Sequence, residues 1–211
     1  MELNITEALR YLGVHGEPDE PLLQQMSALA QELQARIQPR FIWRSFALTS
    51  NSEFRIPHSA LAQALLRDCA SAAVLVCTLG AAFDLWMKQL QARDMGRAVM
   101  LDALGSAYVE AGCDAAEDAI RARYPGMYLT DRFSPGYGDL PLDTQTEFAA
   151  LAGASRIGVT VTDSMLMNPQ KSVTAILGIA DTPQPARIRG CAHCPLNKSC
   201  PYRKVGTTCH V

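Results

Sequence analysis

The segment from Asp131 to Asp143 (DRFSPGYGDLPLD) joins a guanidinium to a proline–glycine turn. Pro135 fixes one backbone angle and Gly136 permits a positive one, which is the requirement of a type II turn. Gly136 and Gly138 carry no side chain over their amides, so backbone N–H groups could point at an anion. Arg132 supplies a planar fork suited to the same carboxylate. Tyr137 could stack on a ring or donate a hydrogen bond. The plainer alternative is an ordinary loop in which Arg132 pairs with Asp131 or Asp139.

A second cluster lies near the C-terminus, where Cys191, Cys194, Cys200 and Cys209 follow the spacing C-x2-C-x5-C-x8-C. Thiolates two residues apart can converge on one metal, and four sulfurs suit either zinc or a four-iron cluster. A reduced tail without metal is the third possibility. Cys191, Cys194 and Cys200 form the tighter trio; His193 and His210 rank below the cysteines as ligands. Cys69, Cys77 and Cys113 sit among apolar residues and read as small core side chains.

Three segments together resemble the activation domain of cobalamin-dependent methionine synthase. Arg132-x-x-Pro135-Gly136-Tyr137, followed by Pro141 and Gln145, is similar to that family's signature loop. Ser164 to Pro169 (SMLMNP), with Ser172-Val173, is similar to its later Met-x-Pro…Ser-Val segment. The helix from Ala103-Leu104 through Glu110 to Arg121 is similar to one on which the family places a ligand-facing carboxylate. These segments span residues 98 to 180, whereas residues 1 to 95 match only in general helical and strand character.

The resemblance implies S-adenosylmethionine as ligand. Arg132 would hold the methionyl carboxylate, with Ser134, Pro135, Gly136 and Tyr137 lining the ligand. Glu110 would meet the amino group or the sulfonium side, its plainer alternative being a solvated helix residue in the neighbourhood of Asp114, Glu117 and Arg121, and Met167 and Pro169 would border the site. The implied activity is that of a methyltransferase component, the reductive reactivation of cobalamin by methyl transfer. No Asp-x-His-x-x-Gly cobalamin motif occurs, so the cobalamin would come with a partner. That partner would be a methionine synthase lacking its own activation domain, or another corrinoid protein, served by an electron donor. An iron–sulfur electron-transfer module, or an S-adenosylmethionine sensor without methyl transfer, is the alternative. No Gly-x-Gly-x-x-Gly fingerprint or nucleophile elbow is present.

Elements of an α+β fold must position these residues. Helices are expected over Asn4–Leu12, from Asp19 to Ile37, from Ser59 to Leu66, and over 81–123 with a break near Asp94-Met95-Gly96. Met100, Leu104, Tyr108, Ala111, Ala115 and Ala119 would form one apolar stripe on the last of these. A shorter helix is expected from Asp143. Strands are expected over Arg40–Thr49, Ala72–Cys77, Ile157–Val161 and Val173–Ile179. The resemblance implies an antiparallel or mixed sheet with a long central helix and flanking helices. Residues 1–182 would form the domain and 183–211 a cysteine-rich tail.

Composition sets outer limits. The 211 residues are 48% hydrophobic with a net charge of -2, enough for one substantial core. No long basic run points to nucleic acid, and no apolar run is long enough to span a bilayer. The first residues lack the pattern of a signal peptide, so the expected location is cytoplasmic.

Overall fold

A computed structural model describes residues 1–14, 16–49, 54–55, 58–185 and 199. In chain order its elements are α1 (Ile5–Tyr11), α2 (Glu20–Arg36), β1 (Arg40–Ala47), α3 (Ala60–Leu66), β2 (Ser71–Thr78), α4 (Ala81–Gln91) and α5 (Met95–Arg123). There follow β3 (Tyr128–Leu129), α6 (Thr144–Ala152), a 3₁₀ turn (Ala154–Ile157), β4 (Thr160–Val161), β5 (Met167–Asn168) and β6 (Ser172–Ala180). The main sheet has the order β1-β2-β6-β3 and every pairing in it is antiparallel; β4 and β5 form a separate two-stranded piece.

Local signals in the sequence begin the helices. Asn4, Asp19, Ser59 and Asp94 each accept a hydrogen bond from the backbone amide three residues on, which satisfies one of the donors left open at a helix start. Asp94 thereby separates α4 from α5, where the sequence suggests a break. β2 and β6 are central strands buried on both faces, which is why both read as nearly continuous apolar runs.

Alternation along these strands builds two cores. Ala73, Leu75, Cys77, Ala175, Leu177 and Ile179 face a helical layer of α1, α2, α4 and α5. Ala72, Val74, Val76 and Ile176 face α3, α6, Phe133 and Leu140 on the other side. The sheet is therefore a middle layer, and each core forms on one of its faces.

The long helix α5 has 29 residues, about 43 Å at about 1.5 Å per residue. Its buried face runs through Leu101, Leu104, Tyr108, Cys113, Ala116 and Ile120. The expected stripe is only partly right, because Met100, Ala111, Ala115 and Ala119 are half-buried at its border. Packing between the sheet and three other helices widens the covered arc, and small residues then sit at its centre. Gly105 admits the Phe83 ring, and Gly112 admits Cys77 and Pro39.

Two further expectations change. The strand expected over 157–161 shrinks to Thr160–Val161, because Gly153 and Gly158 adopt left-handed backbone angles that bracket a 3₁₀ turn. The short strands β3 and β5 have no pattern long enough to read. Among the described residues, no helix is long and apolar enough to cross a membrane.

A β-carbon at Gly112 would lie 2.5 Å from Cys77 Sγ and 2.8 Å from Pro39 Cβ. Alanine in a helix gains about 1 kcal/mol over glycine, whereas overpacking costs about 1–3 kcal/mol. We expect Gly112→Ala to lower the urea midpoint despite its better helix propensity. An unchanged or raised midpoint would show that α5 and β2 can move apart.

Candidate functional site

Arg132 reaches α5 because of an irregularity in the strand before it. Tyr128 pairs with Ala180 and Leu129 with Ile179, but Phe133 bridges Ile176. The second register is one residue longer than the first, so residues 130–132 contain one residue more than the stretch of β6 they oppose. This is the arithmetic of a β-bulge, which re-aims the side chains beyond it. Phe133 consequently turns to the α3/α6 core, and Arg132, its neighbour, points across the open edge of β6 toward α5. Thr130 anchors the bulge by accepting the Gly178 amide on Oγ1 at 2.8 Å.

On α5 the guanidinium meets a line of acids. Glu110, Asp114 and Glu117 are spaced i, i+4, i+7 and share one helix face. Arg132 Nη1 donates to Asp114 Oδ1 at 2.7 Å and to Glu117 Oε1 at 2.6 Å, and Nη2 donates to Glu110 Oε2 at 2.8 Å. Arg121 holds the other oxygen of Glu117 at 2.7 Å and Asp118 at 2.8 Å. The Arg132 side chain is only 7% exposed, whereas Glu110 and Asp114 open to solvent. Burial alone would lower the Arg132 pKa, but the adjoining Cys113, Glu117, Asp114 and Glu110 raise it, so the side chain stays cationic.

The loop beyond Phe133 is closed on itself. The Tyr137 amide donates to Ser134 O at 3.2 Å with Gly136 at φ +85°, the expected Pro-Gly turn. The Leu140 amide donates to Tyr137 O, and the Gly136 amide to Leu140 O at 2.9 Å. Gly136 therefore does not offer the free amide that the sequence suggests. Phe133 and Leu140 sink into the core, and Asp139 caps α3, accepting from Ser59 Oγ at 2.5 Å and the Ala60 amide at 2.6 Å. The Ser59 hydrogen bond, helped by the Ala60 and Leu61 amides against some desolvation, holds the Asp139 carboxyl below its ordinary range. Tyr137 stands out at the tip, 71% exposed.

The structure thus brings Glu110, Arg132 and the Ser134–Tyr137 loop into one region. Met167 packs against the α3/α6 core instead, and Pro169 is buried, its carbonyl accepting from Ser172 Oγ at 2.7 Å. Gln145 is buried and donates to Met165 O at 2.8 Å, tying α6 to the β4–β5 turn. Asp114 and Glu117 as partners of Arg132 escape a motif reading; their i, i+4, i+7 spacing with Glu110 is the signal that could have found them. Neither Asp131 nor Asp139 is the partner. Cys77 and Cys113 are buried free thiols, and Cys69 is half-buried with its Sγ donating to Leu65 O. A hydrogen bond with Cys77 that favours the protonated form, and then burial, push the Cys113 thiol well up, which marks it as unreactive. Cys191, Cys194, Cys200 and Cys209 lie outside the described residues.

These features define an α+β domain with an antiparallel sheet, a long central helix and flanking helices, the fold of methionine synthase activation domains. No protein-family model matches the chain, and no curated protein matches it significantly. Among solved structures it is similar to the crystal structure of the MetH reactivation domain bound to AdoHcy. The TM-score is 0.60 with 15% identity, over 97% of this chain and 83% of that one, a likeness of fold.

Removing the guanidinium would leave the inward Glu117 carboxylate beside two like charges. We expect Arg132→Met to lower folding stability by about 2–4 kcal/mol in urea denaturation at neutral pH. A loss under about 0.5 kcal/mol, the range of ordinary surface substitutions, would contradict the described ion cluster.

Proposed function

We propose that this chain binds S-adenosylmethionine at the Arg132 site and delivers its methyl group to cobalamin carried by a separate protein. The observation that carries this reading is Arg132, buried against carboxylates of the long helix and directly followed by a closed Pro-Gly-Tyr loop. The fold, shared with a domain solved with AdoHcy, supports it.

The residues fit a methionyl group in charge and in hydrogen bonding. An arginine has five N–H donors, and the α5 acids take three of those of Arg132. The remaining two suffice for one carboxylate. Glu110 and Asp114, open to solvent, are acceptors for the ammonium. Ser134, Pro135, Gly136 and Tyr137 form the wall beside them.

The chemistry needs orientation more than an added nucleophile. An external donor reduces cobalt(II) to cobalt(I) by one electron. The cobalt(I) electron pair then attacks the sulfonium methyl carbon, the carbon–sulfur bond breaks, and its electron pair leaves on the thioether. Methylcobalt(III) and S-adenosylhomocysteine result. Reduction that is uphill alone is drawn forward because methylation consumes the cobalt(I). This chain's part is to fix the amino-acid end of the donor, so that the methyl faces the partner's cobalt.

The partner is a methionine synthase without its own activation domain, or another corrinoid protein. Residues 1–182 serve as the ligand-binding domain and 183–211 as the tail. The tail's C-x2-C-x5-C-x8-C spacing favours a second reading, an electron-transfer module holding an iron–sulfur cluster; zinc would serve only to order it. Binding of S-adenosylmethionine without methyl transfer would make the chain a sensor.

The test combines the protein with a cob(II)alamin-loaded corrinoid partner, a low-potential reductant and S-adenosylmethionine, and reads methylcobalamin by absorbance. The wild type is expected to accelerate its formation, and Arg132→Ala to reduce that gain by at least about tenfold. No acceleration with any corrinoid partner would contradict the reading.

A further inference from the structure

The polar face of α5 does not end at the acids that hold Arg132. Asp102, Ser106, Glu110 and Asp114 follow at four-residue steps, so each is the helical neighbour of the next. Glu110 and Asp114 take the Arg132 guanidinium, and Asp102 and Ser106 take a second cation, Lys171. Its Nζ lies 2.9 Å from Asp102 Oδ1 and donates to Ser106 Oγ at 2.8 Å. At about 1.5 Å per residue, Ser106 lies about 6 Å along the helix axis from Glu110, and Asp102 about 12 Å.

The backbone that carries Lys171 is pinned. Its carbonyl accepts the Leu79 amide at 2.9 Å, and the preceding Gln170 amide donates to Asp84 Oδ2 at 2.8 Å. The Lys171 side chain is only 19% exposed, whereas that of Asp102 is 59% exposed. An ammonium has three donors, and Asp102 and Ser106 take two of them. The second oxygen of Asp102 has no partner among the described residues. One N–H left over beside one open carboxylate oxygen is the complement of two adjacent hydroxyls. The same Asp102 borders a cavity of about 310 Å³ between α1, α4 and α5. Its walls include Tyr11, Met87, Met95, Val99 and Ala103, a largely apolar lining with one aromatic ring. Small-molecule sites have this character and occupy about 300–1,000 Å³.

We propose that Asp102 and Lys171 hold the ribose hydroxyls of the ligand and that the cavity beside Asp102 receives its base. The inference rests on the proposed S-adenosylmethionine reading and supplies the nucleoside half, for which the loop motif assigns no residue. The order along α5 is the order of groups in the ligand. The amino acid lies at Arg132 and Glu110, the ribose one to two turns earlier at Ser106 and Asp102, and the base at Val99 and Ala103. Lys171 serves as a positioning residue for Asp102 and as a donor to the second hydroxyl. An ion pair that merely ties β6 to α5 would give no preference between ligands with and without those hydroxyls.

Calorimetric titration of the full chain tests this with S-adenosylhomocysteine and its 2′-deoxy and 3′-deoxy analogues. In the wild type each analogue is expected to bind at least about tenfold more weakly, the loss of one hydrogen bond to a charged group. In Asp102→Ala the parent and at least one analogue are expected to bind within about threefold of each other, because the hydroxyl that Asp102 reads no longer counts. Lys171→Met gives the same reading should Asp102→Ala not fold. Val99→Trp, which fills the cavity from an exposed position, is expected to weaken the parent at least about tenfold. Circular dichroism and urea midpoints of each variant separate lost binding from lost folding. Analogues within about threefold of the parent in the wild type, full discrimination in a folded Asp102→Ala, or unimpaired binding by a folded Val99→Trp overturns the nucleoside assignment while leaving the function standing. No binding of S-adenosylhomocysteine or S-adenosylmethionine by the wild type overturns both.

Discussion

A guanidinium buried against three carboxylates on a single helix face is the constraint around which this molecule is arranged. Acids at i and i+4 repel one another on an isolated helix, so the line from Glu110 to Glu117 is a liability until a cation faces it. The cation comes from the segment that follows the helix, 15 to 22 residues beyond the acids, so the stretch between must hold Arg132 and the long helix in register. One additional residue before Phe133 accomplishes this. It lets neighbouring side chains part, Phe133 into one core and Arg132 toward α5. Without the bulge the same alternation would send Arg132 away from the acids.

The rigidity of the loop follows from the same economy of contacts. Its two ends, Phe133 and Leu140, are core residues, and its carboxylate, Asp139, is the cap of α3. Gly136 and Gly138 take positive φ angles that close the turn between these anchors. What remains for solvent is Tyr137. A site built this way has a fixed floor and an exposed rim, suited to orienting a ligand whose reacting atom must face a second protein.

Much of this was legible in the sequence where a residue acts on its own neighbours. Asn4, Asp19, Ser59 and Asp94 announce helix starts through side-chain chemistry confined to three residues. The Pro135-Gly136 turn is likewise local, and it forms as its residue types demand. Central strands β2 and β6 betray themselves by continuous apolar runs. What could not be read depends on pairing at a distance. The bulge exists only relative to β6, and two-residue strands such as β3 have no period. The partners of Arg132 are decided by the packing of α5, not by the adjacent Asp131 and Asp139. Gly136 is instructive for the same reason: its freedom was evident, but the Leu140 carbonyl that takes its amide was not.

The central claim is that Arg132 and the loop that follows it form one ligand-receiving unit, and nitrogen-15 NMR of the arginine side chains and backbone amides during titration with S-adenosylmethionine tests it most directly. The account predicts that the Arg132 Nε signal and the Ser134–Tyr137 amides shift together, with one common dissociation constant. Shifts confined to other arginines, or none at saturating ligand, would contradict it.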